Sequence, residues 1–154
     1  MVKVLFVCLG NICRSPMAEA VFQEMVNQAG LADKIMVDSA GTGAWHVGEK
    51  AHRGTRDVLA QYGIDYNGRA RQVNNTDMAT PNSYIIVMDD SNLSDLQSHF
   101  GHHPHLHRLL DFAKNTQERN VPDPYYTGSF QYVYELVTDG CGGLLTNIRQ
   151  QQNI

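Results

Sequence analysis

The stretch Val4-Leu5-Phe6-Val7-Cys8-Leu9-Gly10-Asn11-Ile12-Cys13-Arg14-Ser15-Pro16 decides the fold of this chain. The apolar, β-branched run that fills residues 2–8 is typical of a buried parallel strand, and it ends on a cysteine. Ser15 and Pro16 suit the N-cap and the first position of a helix. The sequence therefore predicts a strand, a short loop and a helix in direct succession.

This order of parts suits a site that holds a phosphate against a thiolate. A curled loop directs backbone N–H groups inward, and Arg14 provides a planar, permanently charged clamp for oxyanions. The positive end of the following helix favours both a bound anion and an ionised thiol. We interpret Cys8 as a nucleophile and Arg14 as a phosphate ligand. The alternative is a structural cysteine at a strand end with an unrelated arginine nearby. The residues expected to surround the phosphate are Leu9, Gly10, Asn11, Ile12, Cys13 and Ser15.

Residues 8–16 resemble the phosphate-binding loop of the low-molecular-weight protein tyrosine phosphatases, and other motifs of that family follow along the whole chain. The resemblance implies hydrolysis of protein phosphotyrosine through a cysteinyl-phosphate on Cys8, with no metal or cofactor. Asp123-Pro124-Tyr125-Tyr126 resembles the family's general-acid loop, so Asp123 is expected to protonate the leaving phenolate and then activate water. Read alone, the Pro-Asp-Pro sequence at residues 122–124 is only a stiff turn.

The same resemblance assigns supporting roles around the loop. Asn11 resembles a loop-bracing asparagine that tolerates a left-handed backbone, although an ordinary turn residue is the alternative. Ser15 resembles the serine that hydrogen-bonds the thiolate, and Ser39 resembles a partner of Asn11. Many members carry a histidine shortly before an Ala-Arg-Gln sequence, where this chain has Gly68. The sequence therefore predicts an incomplete network and a less rigid loop.

Two further residues have two readings each. Asp89 follows a predicted strand, where it could orient the Arg14 guanidinium or act as a solvated carboxylate at a helix start. Cys13 is close enough in the chain to form a reversible disulfide with Cys8 that protects it from over-oxidation, or it is a small loop filler. Cys141, on the last predicted helix, is expected in the core.

The substrate is suggested by Trp45, Tyr125 and Ile12. Core packing is the usual fate of a lone tryptophan, but the resemblance places Trp45 at the pocket mouth, facing Tyr125 across a slot for a phenyl ring. Protein-arginine phosphatases share this loop but carry threonine at the position of Ile12. Arsenate reductases on the same fold need two more cysteines near the third strand, and residues 86–91 contain none. A non-catalytic phosphate-binding module would need neither Cys8 nor Asp123.

Alternating patterns predict a doubly wound α/β fold. Strands are expected at residues 2–8, 35–40, 84–88 and 106–112. Helices are expected at residues 17–28, 53–62, 91–100 and 130–149. Ser91 and Asn92 are expected to cap the third helix, and Gly140 and the pair Gly142-Gly143 weaken the prediction of the fourth. We expect a single domain over residues 1–154, with a four-stranded parallel sheet in the order 2-1-3-4 and helices on both faces. Cys8, Ser39 and Asp89 should then converge at the carboxyl edge of the sheet.

Composition limits the partners. A net charge of −4 argues against nucleic acid as the main partner, and a hydrophobic content of 42% is ordinary for a globular protein. No segment suggests a membrane span or a signal peptide, and three cysteines suit a reducing cytoplasm. The resemblance implies phosphotyrosine proteins as substrates, a bacterial tyrosine kinase as a partner, a monomer or weak dimer, and export without a signal peptide in some relatives. The histidines at 99, 102, 103, 105 and 107 lack regular ligand spacing and predict an exposed loop rather than a metal site.

Overall fold

The computed structural model describes residues 1–154 and shows a single-domain α/β fold around one parallel sheet. The strand order is β2-β1-β3-β4, which confirms the predicted order. The strands are β1 (Val2–Cys8), β2 (Ile35–Gly41), β3 (Ser83–Val87) and β4 (Leu106–Arg108). The α-helices are α1 (Arg14–Gln28), α2 (Arg53–Gln61), α3 (Asn75–Ala79), α4 (Asp90–Phe100), α5 (Pro124–Thr127) and α6 (Phe130–Gln152), and a 3₁₀ helix spans Leu109–Phe112.

The central strand β1 serves both faces of the sheet because successive side chains point in opposite directions. Its residues Val4, Phe6 and Cys8 join the larger core, which α1 and α6 cover. Leu5 and Val7 join a smaller core on the other face, which includes Leu96 of α4. Burial on both faces explains the continuous apolar run of this strand. It also places the end of β1 at the centre of the carboxyl edge.

Helix α1 begins earlier than predicted, and the interpretation of Ser15 as its N-cap is wrong. Cys13 is the N-cap and makes no capping hydrogen bond with its side chain, so Arg14 and Ser15 already belong to the first turn. The Ser15 hydroxyl instead contacts the Cys8 sulfur. Pro16 remains compatible with the first turn because that turn needs no N–H from it.

Other boundaries also differ from the sequence-based prediction. Helix α4 is capped by Asp89, which forms a capping box with Asn92, and not by Ser91 and Asn92 as predicted. The predicted strand at residues 106–112 pairs only over its first three residues and then turns into the 3₁₀ helix. Helices α3 and α5 were missed because five and four residues are too short to show helical periodicity.

Helix α6 runs unbroken over 23 residues although it contains three glycines. Two of these glycines allow the 3₁₀ helix to pack closely against α6. A Cβ on Gly140 would meet the Leu109 side chain, and a Cβ on Gly143 would overlap the carbonyl oxygen of Phe112. The absence of side chains at these two positions therefore lets the 3₁₀ helix lie directly on α6. None of the helices, α6 included, combines the length and apolar character that crossing a membrane requires.

This packing generates a matched pair of substitutions in α6. Gly143→Ala should lower the free energy of unfolding by about 1–3 kcal/mol, because the added methyl group collides with the backbone at Phe112. Gly142→Ala is the control: a Cβ there meets nothing within 4 Å, and better helix propensity should raise stability by up to about 1 kcal/mol. Urea denaturation followed by circular dichroism measures both. Equal effects of the two substitutions would contradict the close packing.

Candidate active site

The loop after β1 curls around the sulfur of Cys8. The sulfur accepts a hydrogen bond from the backbone N–H of Asn11 at 3.3 Å and lies 3.0 Å from the Ser15 hydroxyl oxygen. Asn11 has a φ of 58°, in the left-handed region that asparagine tolerates better than most residues. Backbone N–H groups of Thr42 and Gly43 donate to the carbonyls of residues 8 and 9 and join the loop to the end of β2. The sequence motif thus folds into a curled loop that directs the Asn11 N–H at the Cys8 sulfur.

Arg14 is buried, with 3% of its surface exposed, and its guanidinium lies at the centre of the site. One terminal nitrogen donates to the Asp89 carboxylate and to the Val121 carbonyl oxygen at 3.0 Å, and the other lies 3.4 Å from the Asp123 carboxylate. Burial opposes the charge of Arg14, but the nearby Cys8 and Asp89 outweigh it and raise the pKa of the guanidinium. The Nε–H donor is buried without a protein acceptor.

Asp89 has both of the roles that the sequence left open: it contacts the Arg14 guanidinium and it caps a helix. One carboxylate oxygen accepts from the Asn92 backbone N–H at 2.8 Å as the N-cap of α4, and the other accepts from Arg14. The negative charge therefore compensates the helix N-terminus and orients the guanidinium at the same time. A single carboxylate serves both purposes because β3 ends directly beside the phosphate-loop arginine.

Asp123 is placed by the segment that precedes α6. The N–H of Val121 donates to the carbonyl of Met88 at 2.9 Å, which joins this segment to the end of β3. Asp123 is the N-cap of α5, with one oxygen 3.1 Å from the Tyr125 N–H, and its other oxygen faces Arg14. Pro124 is the first residue of α5 and supports the short helix. The residue proposed as general acid therefore lies beside the proposed phosphate ligand.

A chain of hydrogen bonds leads from Asn11 away from the sulfur. Its amide nitrogen donates to Ser15 Oγ at 2.7 Å and to Ser39 Oγ at 3.0 Å, and its oxygen accepts from the Arg71 N–H at 3.0 Å. Ser39 Oγ donates to Glu19 Oε1 at 2.6 Å. The structure thus brings together the three residues of the network that the sequence identified and adds a carboxylate.

The prediction of an incomplete network at Gly68 is wrong. The Tyr66 hydroxyl donates to Glu19 Oε1 at 2.9 Å, and a Cβ on Gly68 would overlap that hydroxyl. Sequence reasoning missed both Glu19 and Tyr66. A signal for Glu19 exists: it is the one carboxylate within an otherwise buried stretch of α1, residues 14–22. Tyr66 lies in an irregular segment and gives no comparable signal.

The mouth of the site is a cavity of about 230 Å³. It is lined by Cys8, Leu9, Gly10, Ile12, Cys13, Arg14, Trp45, His46, Asp123, Tyr125 and Tyr126. Trp45 is 71% exposed, so core packing is excluded, and its ring lies over Gly43, where a Cβ would collide with it. His46 and Tyr126 are additions to the predicted lining. His46 is paired with Glu49 at 2.8 Å, and its ring centre lies 6.1 Å from that of Tyr125.

The remaining cysteines are free and buried. Burial, with Asp123 and Cys8 nearby, raises the pKa of the Cys13 thiol to about 12, and this residue packs with Ile12 and Ala70. Its disulfide with Cys8 stays a prediction. Cys141 is fully buried in the core on α6, as predicted.

The histidine-rich segment differs from the prediction of an exposed loop. His99 and His102 are exposed, but His103, His105 and His107 are partly buried. The His105 ring lies 4.7 Å from the Tyr84 ring, and His107 packs edge-on against Phe112. Burial, with His105 nearby, lowers the pKa of His103 and of His107. No group of three or more histidine, cysteine or acidic side chains is arranged to hold a metal ion.

Residues 3–153 match the family described as low molecular weight phosphotyrosine protein phosphatase. The chain belongs to this family. It is 46% identical to the low molecular weight protein-tyrosine-phosphatase YfkJ of Bacillus subtilis, with both chains covered completely. It is 43% identical to PtpA of Staphylococcus epidermidis, over the whole chain and 98% of that relative.

Solved structures agree with the family assignment. The crystal structure of YfkJ superposes with a TM-score of 0.94 at 47% identity, covering 98% of this chain and 96% of that one. The arginine phosphatase DARP of Drosophila superposes with a TM-score of 0.85 at 31% identity, covering 96% of this chain and 98% of that one. The chain is therefore an enzyme of the phosphatase class, on a fold that also supports a phosphatase named for arginine.

Asp77 provides a test of the ionic support behind the phosphate loop. Arg71, whose N–H holds Asn11, pairs with Asp38 at 2.9 Å and with both oxygens of Asp77 at 2.9 Å. Burial would raise the pKa of Asp77, but the hydrogen bonds from Arg71 and Asn74 lower it. Its stabilising contribution is therefore present above the unfolded-state pKa and is lost as the pH falls through the folded-state pKa.

Asp77→Asn should consequently lower the free energy of unfolding at pH 7, and the difference from the unaltered protein should shrink towards about pH 3. Urea titrations at several pH values measure this. Asp33→Asn, at an exposed turn position, is the control and should change stability little at any pH. A stability difference that does not depend on pH would show that Asp77 acts through packing and not through its charge.

Proposed function

We propose that this protein hydrolyses phosphotyrosine in proteins and that residues 1–154 act as one phosphatase domain. The observation that carries the proposal is the position of the Cys8 sulfur, which accepts a hydrogen bond from the Asn11 N–H and lines the same cavity as the buried Arg14 and Asp123. Family membership supports the same reaction class.

In the first step, the Cys8 thiolate attacks phosphorus in line with the tyrosyl oxygen. The S–P bond forms as the bond from phosphorus to the phenolic oxygen breaks. Loop N–H groups and Arg14 hold the non-bridging oxygens, and the unpaired Nε–H of Arg14 is a donor suited to one of them. Ser15, 3.0 Å from the sulfur, stabilises its negative charge.

Asp123 supplies the proton that the departing phenolate needs, since the phenolate of a phenol with a pKa of about 10 is a poor leaving group. In the second step the resulting carboxylate accepts a proton from water. The water oxygen bonds to phosphorus, the S–P bond breaks, and the Cys8 thiolate is regenerated with release of phosphate. The position of Asp123 beside Arg14, at the wall of the cavity, supports both roles.

The aromatic mouth supports phosphotyrosine as the substrate. Trp45 and Tyr125 stand exposed on the cavity wall, which places flat apolar surfaces above the cradle. A phosphotyrosine ring extends far enough from phosphorus to contact them, whereas the short side chain of phosphoserine does not. The partners would accordingly be phosphotyrosine proteins, together with the tyrosine kinases that modify them.

Two substitutions test the mechanism. Cys8→Ser should abolish phosphate release from p-nitrophenyl phosphate, and Asp123→Asn should lower kcat by about 10²–10⁴-fold. The loss in Asp123→Asn should be larger for phenyl phosphate than for p-nitrophenyl phosphate, because the less acidic phenol depends more on the donated proton. Cys141→Ala, remote from the cavity, and Asp33→Asn are the controls and should retain activity. Activity in Cys8→Ser would refute the mechanism.

The likeness to an arginine phosphatase gives a second candidate substrate, phosphoarginine, which the apolar Ile12 disfavours. Peptides of one sequence carrying phosphotyrosine, phosphoarginine or phosphoserine should be compared by kcat/KM. We expect kcat/KM to be highest for the phosphotyrosine peptide. Trp45→Ala should reduce this preference about tenfold, because it removes an exposed aromatic wall of the cavity. Ile12→Thr should raise the relative rate on phosphoarginine. A phosphoarginine preference in the unaltered protein would overturn the substrate assignment.

A further inference from the structure

The hydrogen bonds beneath the nucleophile have one direction. Asn11 Oδ1 accepts from the Arg71 N–H, so its amide nitrogen must be the group that faces Ser15 and Ser39. Both serine oxygens are then acceptors towards Asn11, and each serine keeps one proton to donate. The proton of Ser39 goes to the Glu19 carboxylate, which only accepts when ionised.

The remaining proton in the chain belongs to Ser15. Two acceptors lie nearby, the Cys8 sulfur at 3.0 Å and the Ala40 carbonyl oxygen at 3.5 Å. The shorter contact and the negative charge of a thiolate favour the sulfur. The chain from Glu19 through Ser39, Asn11 and Ser15 therefore ends in an O–H group that points at the nucleophile. The Arg71 N–H fixes which way the Asn11 amide faces, and the Glu19 carboxylate fixes the position of Ser39, the other serine that this amide contacts.

Glu19 is poorly placed to stay ionised by itself. Burial raises its pKa, and the carboxylate of Asp38 on β2 acts in the same direction. The opposing groups are the hydroxyls of Ser39 and Tyr66 and, at longer range, the Arg71 guanidinium. Tyr66 and Ser39 both donate to the same oxygen, Oε1. Half of the hydrogen bonding to this carboxylate thus comes from Tyr66.

The Tyr66 hydroxyl reaches Glu19 only because residue 68 has no side chain. A Cβ on Gly68 would overlap the hydroxyl oxygen and approach the ring. Burial and the charge of Glu19 raise the pKa of Tyr66, so the hydroxyl keeps its proton and remains a donor. Neither Tyr66 nor Gly68 is among the residues that line the cavity, so any influence on catalysis is indirect, and the hydrogen bond from Tyr66 to Glu19 provides the route.

We propose that Tyr66 is a positioning residue for the proposed phosphatase reaction: it holds the Glu19 carboxylate against Ser39, so that Ser39, Asn11 and Ser15 stay in place beneath Cys8, and Gly68 leaves the space that Tyr66 needs. Loss of the Tyr66 hydroxyl removes one of two donors to the Glu19 carboxylate. A proton on Glu19 then frees the Ser39 hydroxyl, and Ser39 no longer holds the Asn11 amide firmly beside Ser15. The inference rests on Cys8 being the nucleophile of the proposed function.

Tyr66→Phe tests this because it removes only the hydroxyl. We expect kcat for p-nitrophenyl phosphate to fall about three- to tenfold with KM nearly unchanged, as for the loss of one buried hydrogen bond. The pH profile of Cys8 alkylation by iodoacetate should move to higher pH, since the thiolate loses a steady donor. Gly68→Ala should produce the same two changes. The double variant should be no worse than either single variant, because both disrupt one contact.

Tyr62→Phe is the matched control. Tyr62 lies on the surface near the end of α2, and its hydroxyl only accepts a hydrogen bond from Gln131, so its removal should change neither readout. A Tyr66→Phe variant with an unchanged alkylation profile would overturn the proposal, whether or not its activity or thermal stability falls. If the unaltered protein releases no phosphate, the proposed function fails, and the alkylation profiles still decide whether Tyr66 positions Cys8.

Discussion

The burial of the Arg14 charge is the constraint on which the rest of the site depends. An uncompensated guanidinium in a protein interior is very costly, so its partners cannot be left to chance. They are the Asp89 carboxylate, the Val121 carbonyl oxygen and the Asp123 carboxylate, which lie 75, 107 and 109 residues away in the chain. Compensation of one charge thus fixes where the end of β3 and the loop before α5 must lie.

The same constraint separates two kinds of support for the phosphate loop. On one side, carboxylates neutralise Arg14 and cap the helices α4 and α5. On the other side, neutral groups hold Asn11 in its left-handed conformation: the side chain accepts from the backbone N–H of Arg71 and donates to Ser15 and Ser39. The charged groups do not contact Asn11 directly, since Glu19 is reached only through Ser39. Negative charges near the sulfur would oppose its ionisation. A relay of serine and asparagine groups keeps Glu19 apart from it.

Much of the candidate site follows from the sequence, because its residues are close together in the chain. Residues 8–15 contain the proposed nucleophile, the loop and the arginine, and a strand–loop–helix order leaves little freedom for them. Asp89 and Ser39 were identified because parallel strands end at one edge of the sheet. Asp123 depended on a family resemblance, since a turn between two prolines has no periodic signal of its own.

What could not be predicted depends on contacts between distant segments. The structure decided between the two roles predicted for Ser15: α1 begins at Arg14, two residues before the predicted start at Pro16, so Ser15 lies in the first turn and contacts the sulfur instead of capping the helix. Gly68 suggested a gap in the hydrogen-bond network, and the structure fills that space with Tyr66 from the same irregular segment. Gly143 suggested a weak helix, but in the structure its lack of a side chain lets the backbone at Phe112 pack directly against α6.

The sequence by itself determined the strand order, the loop after β1 and the chemical types of the proposed catalytic groups, because local propensity, hydrophobic pattern and motif spacing act over short stretches of chain. Only the tertiary structure decided that Asp89 both caps α4 and meets Arg14, that the Tyr66 hydroxyl supports Glu19, and that His46 and Tyr126 join the mouth. Those contacts join residues dozens of positions apart. Their geometry depends on how helices and loops pack against the sheet, a property that no single stretch of sequence contains.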